Sequence, residues 1–220
     1  MALNTIDTVT VKKELPIFTV RLPELNVSKV IEEYKNLYPE DYNKQLPNAP
    51  VRSSWRSNMW AMDYPKLKSF VSIVIKCCET VGRDYFHMRD DTKFECNNLW
   101  MMCYNKGDYA KPHNHFPNDL SCVYYANVDK DCAPIIFSKP HMYPNITFQN
   151  IQLAYSGENK NQYNTDYYGV NPIPGDLLMF PSWLEHEVLE QGSEHDRISL
   201  AFNSYPKGDI GEGTKQLKIL

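Results

Sequence analysis

The chain has 220 residues, 42 % of them hydrophobic, which is enough for one well-buried domain and too few for two full ones. Its 23 lysines and arginines against 27 aspartates and glutamates give a net charge of −4 with no basic block, which argues against nucleic acid as the main partner. No apolar run approaches the roughly 20 residues of a membrane span, and Met1 to Lys13 lacks the apolar core and cleavage site of a signal peptide, so a cytoplasmic protein is expected.

Taken in chain order, Leu15–Leu22 reads as a strand. Asn26 is placed to cap a helix that begins at Val27 and carries apolar residues at helical spacing as far as Tyr34. Residues 40–54 are polar and contain prolines, as a loop would. From Pro65 to about Tyr85 the apolar positions Leu67, Phe70, Val71, Ile73, Val74, Cys77 and Val81 keep helical intervals, the clearest helix signal in the chain. Near residue 96 the period changes. Asn98–Tyr104 alternates like a strand and ends at the turn signal Asn105-Lys106-Gly107-Asp108. Short strands are expected over 120–128, 134–138, 147–154, 176–180, 186–190 and 197–205, with turn residues between them, as in a sandwich or barrel. Gly175-Asp176 reads as the turn into one of these strands. The Tyr- and Asn-rich stretch 155–171 interrupts the rhythm and is either a binding lid or a plain surface loop.

The expected fold is α+β and mainly β: a double-stranded β-helix (a jelly roll of cupin type) with N-terminal helices packed on one sheet. One domain spans 1–220, with 1–95 as α/β support or homodimer surface, 96–205 as catalytic core and 206–220 as a C-terminal tail. None of the six cysteines forms a C-x-x-C pair, and Cys77, Cys78 and Cys103 lie in apolar runs, so reduced structural thiols are expected.

The histidines carry the chemistry. His113 and His115 lie two apart just before the apolar run Ser121–Ala126, and in an extended segment both can face the same side. His186 lies in Phe180–Val188, about seventy residues on. Two close imidazoles and a third from a distant strand can cap one face of a metal and leave the other open, which suits non-haem Fe(II). Asp119 is the rival ligand, able to replace either of the first two histidines if its loop folds back. Arg197 opens the alternating run Arg197–Asn203 and can hold an acidic cosubstrate in two parallel hydrogen bonds. Ser199 faces the same side of that strand, and Asn203 shares the face further along. Tyr124 and Tyr125 point to opposite faces of their strand, so one of them lines the pocket. Phe180 and Trp183 flank the distal histidine; core filling is their default role, with Trp183 a weak pocket candidate. His141 and His195 are read as surface residues or as outer support for the site.

The order His113-Asn114-His115, Ser121-Cys122-Val123-Tyr124-Tyr125, Pro181–His186 and Arg197–Asn203 resembles the 2-oxoglutarate/Fe(II)-dependent dioxygenase superfamily. Within it, the four segments look most like a bacterial and phage group with H-x-H, SGVYY, PSWLxH and RIS motifs. Cys122 stands where that group has glycine, and His115 where the superfamily's usual triad has a carboxylate. The resemblance implies an oxidoreductase using Fe(II) and 2-oxoglutarate, a hydroxylase acting on a C–H bond and releasing succinate and CO2. It also implies that Arg197 binds 2-oxoglutarate and that Tyr104 resembles a tyrosine that prolyl-hydroxylase-like enzymes aim at that cosubstrate; core packing is the alternative for Tyr104. A peptidyl or small-molecule substrate is expected by analogy alone. The alternatives are a cupin-like three-histidine metalloenzyme that does not use 2-oxoglutarate, and a non-catalytic binding module on the same barrel.

Overall fold

A computed structural model describes residues 9–11, 15–22, 27–37, 45–46, 49–53, 65–139, 167–210 and 217–219. Two short strands, β1 (Val9–Val11) and β2 (Phe18–Arg21), precede helix α1 (Val27–Leu37). Strands β3 (Gln45–Leu46) and β4 (Ala49–Ser53) then form a small hairpin. A 3-10 turn over Pro65–Leu67 leads into helix α2 (Lys68–Asp84). Proline fits this opening turn because its missing N–H has no intrahelical partner there. Phe70, Val74, Cys77, Cys78 and Val81 form the buried stripe of α2, at the spacing read from the sequence. Arg83 sits in the last turn, where a cation complements the helix dipole.

The remaining elements are strands β5 (Lys93–Tyr104), β6 (Ala110–His113), β7 (Leu120–Asn127), β8 (Ile135–Ser138), β9 (Tyr167–Val170), β10 (Asp176–Pro181), β11 (His186–Val188), β12 (Arg197–Ile210) and β13 (Leu217–Ile219). Among the described residues they form two antiparallel sheets. The larger runs β1-β2-β10-β7-β12-β5-β4-β3, with β13 paired to β12, and the smaller runs β6-β11-β8-β9. This is the expected jelly-roll core, a double-stranded β-helix.

Alternation along the central strands divides the interior into two layers. Leu99, Met101 and Cys103 of β5, Cys122 and Tyr124 of β7, Leu177 and Met179 of β10, and Leu200 and Phe202 of β12 pack with the buried stripes of α1 and α2. Tyr125, Leu178 and Phe180 face the other way and meet Ile135 and Phe137 of the smaller sheet. Phe202 is fully buried and meets Phe70 edge-on at 6.3 Å; truncating it to alanine should cost about 3–5 kcal/mol.

Four segments differ from the sequence expectation. Strands β3 and β4 pair with each other, and β4 pairs with β5 through Arg52 and Ser53, where a loop was expected over 40–54. Strand β6 falls in a stretch for which no strand was expected; three of its four residues are exposed, so it shows no apolar alternation. Strand β9 lies within the 155–171 insertion and pairs with β8 along its whole length. Strand β12 continues to Ile210, where it pairs with β13, inside the segment read as a tail. The expected strand at 147–154 and His141 lie outside the described residues. All six cysteines are buried and free. Cys122 meets Cys78 of α2 with the sulfurs 3.9 Å apart, so a thiol replaces glycine at a helix–sheet contact. Gly175 has φ +84°, a left-handed turn conformation that favours glycine, just before Asp176 starts β10 and pairs with Arg21 at 2.9 Å.

Candidate metal centre and cosubstrate pocket

His113 ends β6 and His186 begins β11, and the two are registered directly opposite each other across the smaller sheet. His115 lies two residues past the strand, held by its backbone. Its N–H donates to the Ser182 carbonyl at 2.9 Å, and its own carbonyl accepts from Asn118 N–H at 3.1 Å and from Asn118 Nδ2 at 2.8 Å. The ring centroids stand 4.4 Å (His113–His186), 5.1 Å (His113–His115) and 5.1 Å (His115–His186) apart. One nitrogen from each ring falls within 4.8 Å of the others. Among the described residues no other group of three histidine, cysteine or acidic side chains comes together in this way. Asp119, the rival ligand, is not in the group. Its backbone N–H donates to Ser204 O and its carbonyl accepts from Ser182 N–H, while burial raises its carboxyl above the ordinary range.

Outer contacts set the tautomers. His113 Nδ1 lies 2.7 Å from the Lys111 carbonyl, and His186 Nδ1 lies 3.0 Å from the Leu184 carbonyl. A carbonyl only accepts, so each Nδ1 carries the proton and each Nε2 keeps its lone pair for a metal. Burial, with His113 nearby, brings His186 down to about 3 and His115 to about 4. Both imidazoles are therefore neutral at pH 7, the form that ligates.

The histidines share a cavity of about 470 Å³, part of it open to solvent, with Tyr104, Arg197 and Ser199. Arg197 is 1 % exposed and sits opposite Tyr104 in the β5–β12 ladder. Its guanidinium carbon lies 4.8 Å from the Tyr104 ring centre and 5.2 Å from that of Tyr125. Among the described residues no carboxylate forms an ion pair with it, and both Arg197 Nε and the Tyr125 hydroxyl are buried without a hydrogen-bond partner. Burial pushes the Tyr104 hydroxyl up to about 12 and raises that of Tyr125, each partly offset by the guanidinium. Both tyrosines are therefore hydrogen-bond donors at neutral pH.

Some sequence candidates stand elsewhere. Tyr124 points to the helical layer, edge-on to Phe70, because β7 presents its alternate residues to opposite layers. Trp183 is 49 % exposed in the turn between β10 and β11 and does not line the cavity. Asn203 lines the cavity, but its amide is engaged by Ser121 and Asn98. His195 is exposed beside Asn127, away from the cavity. Sequence reasoning missed Trp100, which is buried in the cavity wall with its ring 5.7 Å from His115. The signal was there: Trp100, Met102 and Tyr104 alternate along β5.

Comparison with known proteins places this geometry. Residues 98–203 match a family model described as "Putative 2OG-Fe(II) oxygenase". The fold is similar to a prolyl-4-hydroxylase from Pseudomonas putida, with TM-score 0.52, 16 % identity, 84 % of this chain and 88 % of that chain covered. It is also similar to HygX of Streptomyces hygroscopicus, solved with nickel and 2-oxoglutarate (0.56, 13 %, 88 % and 84 %). A third similar structure is SnoN, a non-haem α-ketoglutarate-dependent epimerase of nogalamycin biosynthesis (0.58, 11 %, 88 % and 79 %). No curated protein sequence matches the chain significantly. The donor set agrees with what the family model implies. Neutral imidazoles suit Fe(II), and a buried guanidinium with unsatisfied neighbours suits the carboxylate of a keto acid. The core of the chain, residues 98–203, is thus similar in sequence to the 2OG-Fe(II) oxygenases, and its fold is the one that those solved enzymes share.

Proposed function

We propose that His113, His115 and His186 hold Fe(II) through their Nε2 atoms, and that Arg197 binds the distal carboxylate of 2-oxoglutarate with Ser199 and Tyr104 beside it. The observation that carries this reading is Arg197: a buried cation with no carboxylate ion-paired to it among the described residues, in the same cavity as the three imidazoles. Such a charge is strongly unfavourable unless an anion completes it. Bound together, the iron and the keto acid supply the oxidation, in which O2 converts 2-oxoglutarate to succinate and CO2 and a substrate C–H bond is hydroxylated. The chain's own share is positioning. Lys111 and Leu184 fix two imidazoles through their Nδ1 atoms, Trp100 packs against the third, and the tyrosines flanking Arg197 exclude water from the carboxylate. His113, the most exposed of the three, faces the open side, where a peptidyl or small-molecule substrate enters. Residues 96–205 carry this work, with 1–95 as their support.

The test is the visible spectrum of metal-free protein given Fe(II) and 2-oxoglutarate without oxygen, followed by succinate analysis once oxygen is admitted. A weak charge-transfer band, lost in Arg197→Ala, and succinate formation are expected. Bound iron with no band points instead to a three-histidine centre of cupin type, a reading that the all-imidazole set favours. A band without succinate points to a binding module.

A further inference from the structure

Three of the four motif segments contribute one buried polar side chain each that the proposed chemistry leaves unused: Ser121, Ser182 and Asn203. They meet. Ser121 Oγ donates to Asn203 Oδ1 at 2.8 Å and lies 2.8 Å from Ser182 Oγ. A hydroxyl has one proton, so Ser182 donates to Ser121, and the chain has a fixed direction. Asn203 continues it, its Nδ2 and backbone N–H both donating to Asn98 Oδ1 at 3.0 and 3.2 Å. All four residues are buried, and they link β5, β12, β7 and the turn after β10.

What the chain holds is the backbone of Ser182. That carbonyl accepts from His115 N–H, and the Ser182 N–H donates to the Asp119 carbonyl, so Ser182 grips both ends of the turn that carries His115. His113 and His186 are fixed by strand register, whereas His115 lies past the end of β6, where the Ser182 carbonyl holds its N–H. We infer that the buried chain Ser182–Ser121–Asn203–Asn98 is a positioning device that sets His115 against the other two imidazoles, with Ser182 and Ser121 as its key members. The inference rests on the ligand assignment proposed above.

The test is a titration of the metal-free full chain with Co(II), reading affinity together with the d–d spectrum, a signature of ligand geometry. Ser182→Ala and Ser121→Ala should each weaken Co(II) binding by about 10- to 100-fold, the usual effect of losing an outer partner of a ligand, and should alter the spectrum. Ser121→Thr, which restores the hydroxyl, should recover both. Val74→Ala, a core truncation in the helical layer, should lower the melting temperature while leaving affinity and spectrum unchanged. Two serine variants guard against one failing to fold. Wild-type affinity and spectrum in either folded alanine variant overturns the inference, as does an equal loss in Val74→Ala. If His186→Ala binds Co(II) as wild type does, the ligand assignment itself falls and takes this inference with it.

Discussion

Arg197→Met removes a charge and keeps an unbranched, flexible chain in its place. Arg197 is 1 % exposed, its Nε lacks a hydrogen bond, and among the described residues the rings of Tyr104 and Tyr125 face its guanidinium. Two cation–π contacts at about 0.5–2 kcal/mol each offset only part of a burial penalty of several kcal/mol. Exchanging buried ionic groups for hydrophobes of similar volume gains about 1–4 kcal/mol. Taking about 2 kcal/mol, and about 2–4 °C per kcal/mol for a chain of this size, the ligand-free variant should melt roughly 4–8 °C above wild type. The same substitution removes the proposed partner of the 2-oxoglutarate carboxylate. Breaking a buried charge pair costs about 3–5 kcal/mol, a loss of affinity of roughly 10²- to 5 × 10³-fold. Thermal unfolding with Mn(II), with and without 2-oxoglutarate, reads both effects: wild type gains stability from the keto acid and the variant does not. An Arg197→Met protein that melts no higher than wild type, yet keeps the full 2-oxoglutarate shift, would refute the argument.

Acid should weaken the metal-free fold well before the carboxyl groups titrate. His115 and His186 titrate near 4 and 3 when folded, against about 6.5 when unfolded, so the unfolded chain binds protons first. Their contribution is complete above pH 6.5 and falls as the pH drops, by about 2–3 kcal/mol in total between pH 7.5 and 5.5. Urea unfolding in chelator checks this, and a flat or rising profile contradicts it. Tyr125→Phe should weaken 2-oxoglutarate binding about 5- to 10-fold by deleting a buried donor. Tyr124 faces the helical layer, its hydroxyl donating to the Leu22 carbonyl at 3.5 Å, and Tyr124→Phe should leave that binding unchanged; calorimetry distinguishes the two. In α2, a Cβ on Gly82 would lie 2.9 Å from the Phe94 ring and 3.1 Å from the Met88 sulfur. Gly82→Ala should therefore destabilise by about 1–3 kcal/mol despite better helix propensity, measured as a lower urea midpoint with an unchanged slope.

The three-histidine cluster was legible because two of its members lie two residues apart and the third follows an apolar strand run. Arg197 and Ser199 were legible because a charged and a polar residue share one face of an otherwise apolar strand. Tyr124 and Tyr125 could not be told apart for the opposite reason. Both faces of β7 are buried, one under the helices and one between the sheets, so no polar alternation labels them. Strands β6 and β9 were invisible because most of their side chains are at least partly exposed and they exist through the partners they pair with. The roles of Ser121, Ser182 and Asn203 depend on the register of β12 against β7, which no single segment encodes.

The register that brings His186 opposite His113 also fixes when the site can form. These strands are neighbours in the smaller sheet but about seventy residues apart in the chain, and Arg197 meets Tyr104 across a comparable span. Closing such loops comes late, because the entropy is lost before any contact compensates it. His113 and His115 need no such closure, so an unfolded chain already presents a weak two-imidazole chelate. Metal ions present during refolding therefore stabilise the unfolded ensemble as well as the native one, and their net protection should be smaller than the native affinity alone implies. Cosubstrate binding has no such local precursor, and 2-oxoglutarate should act only on chains that have finished folding.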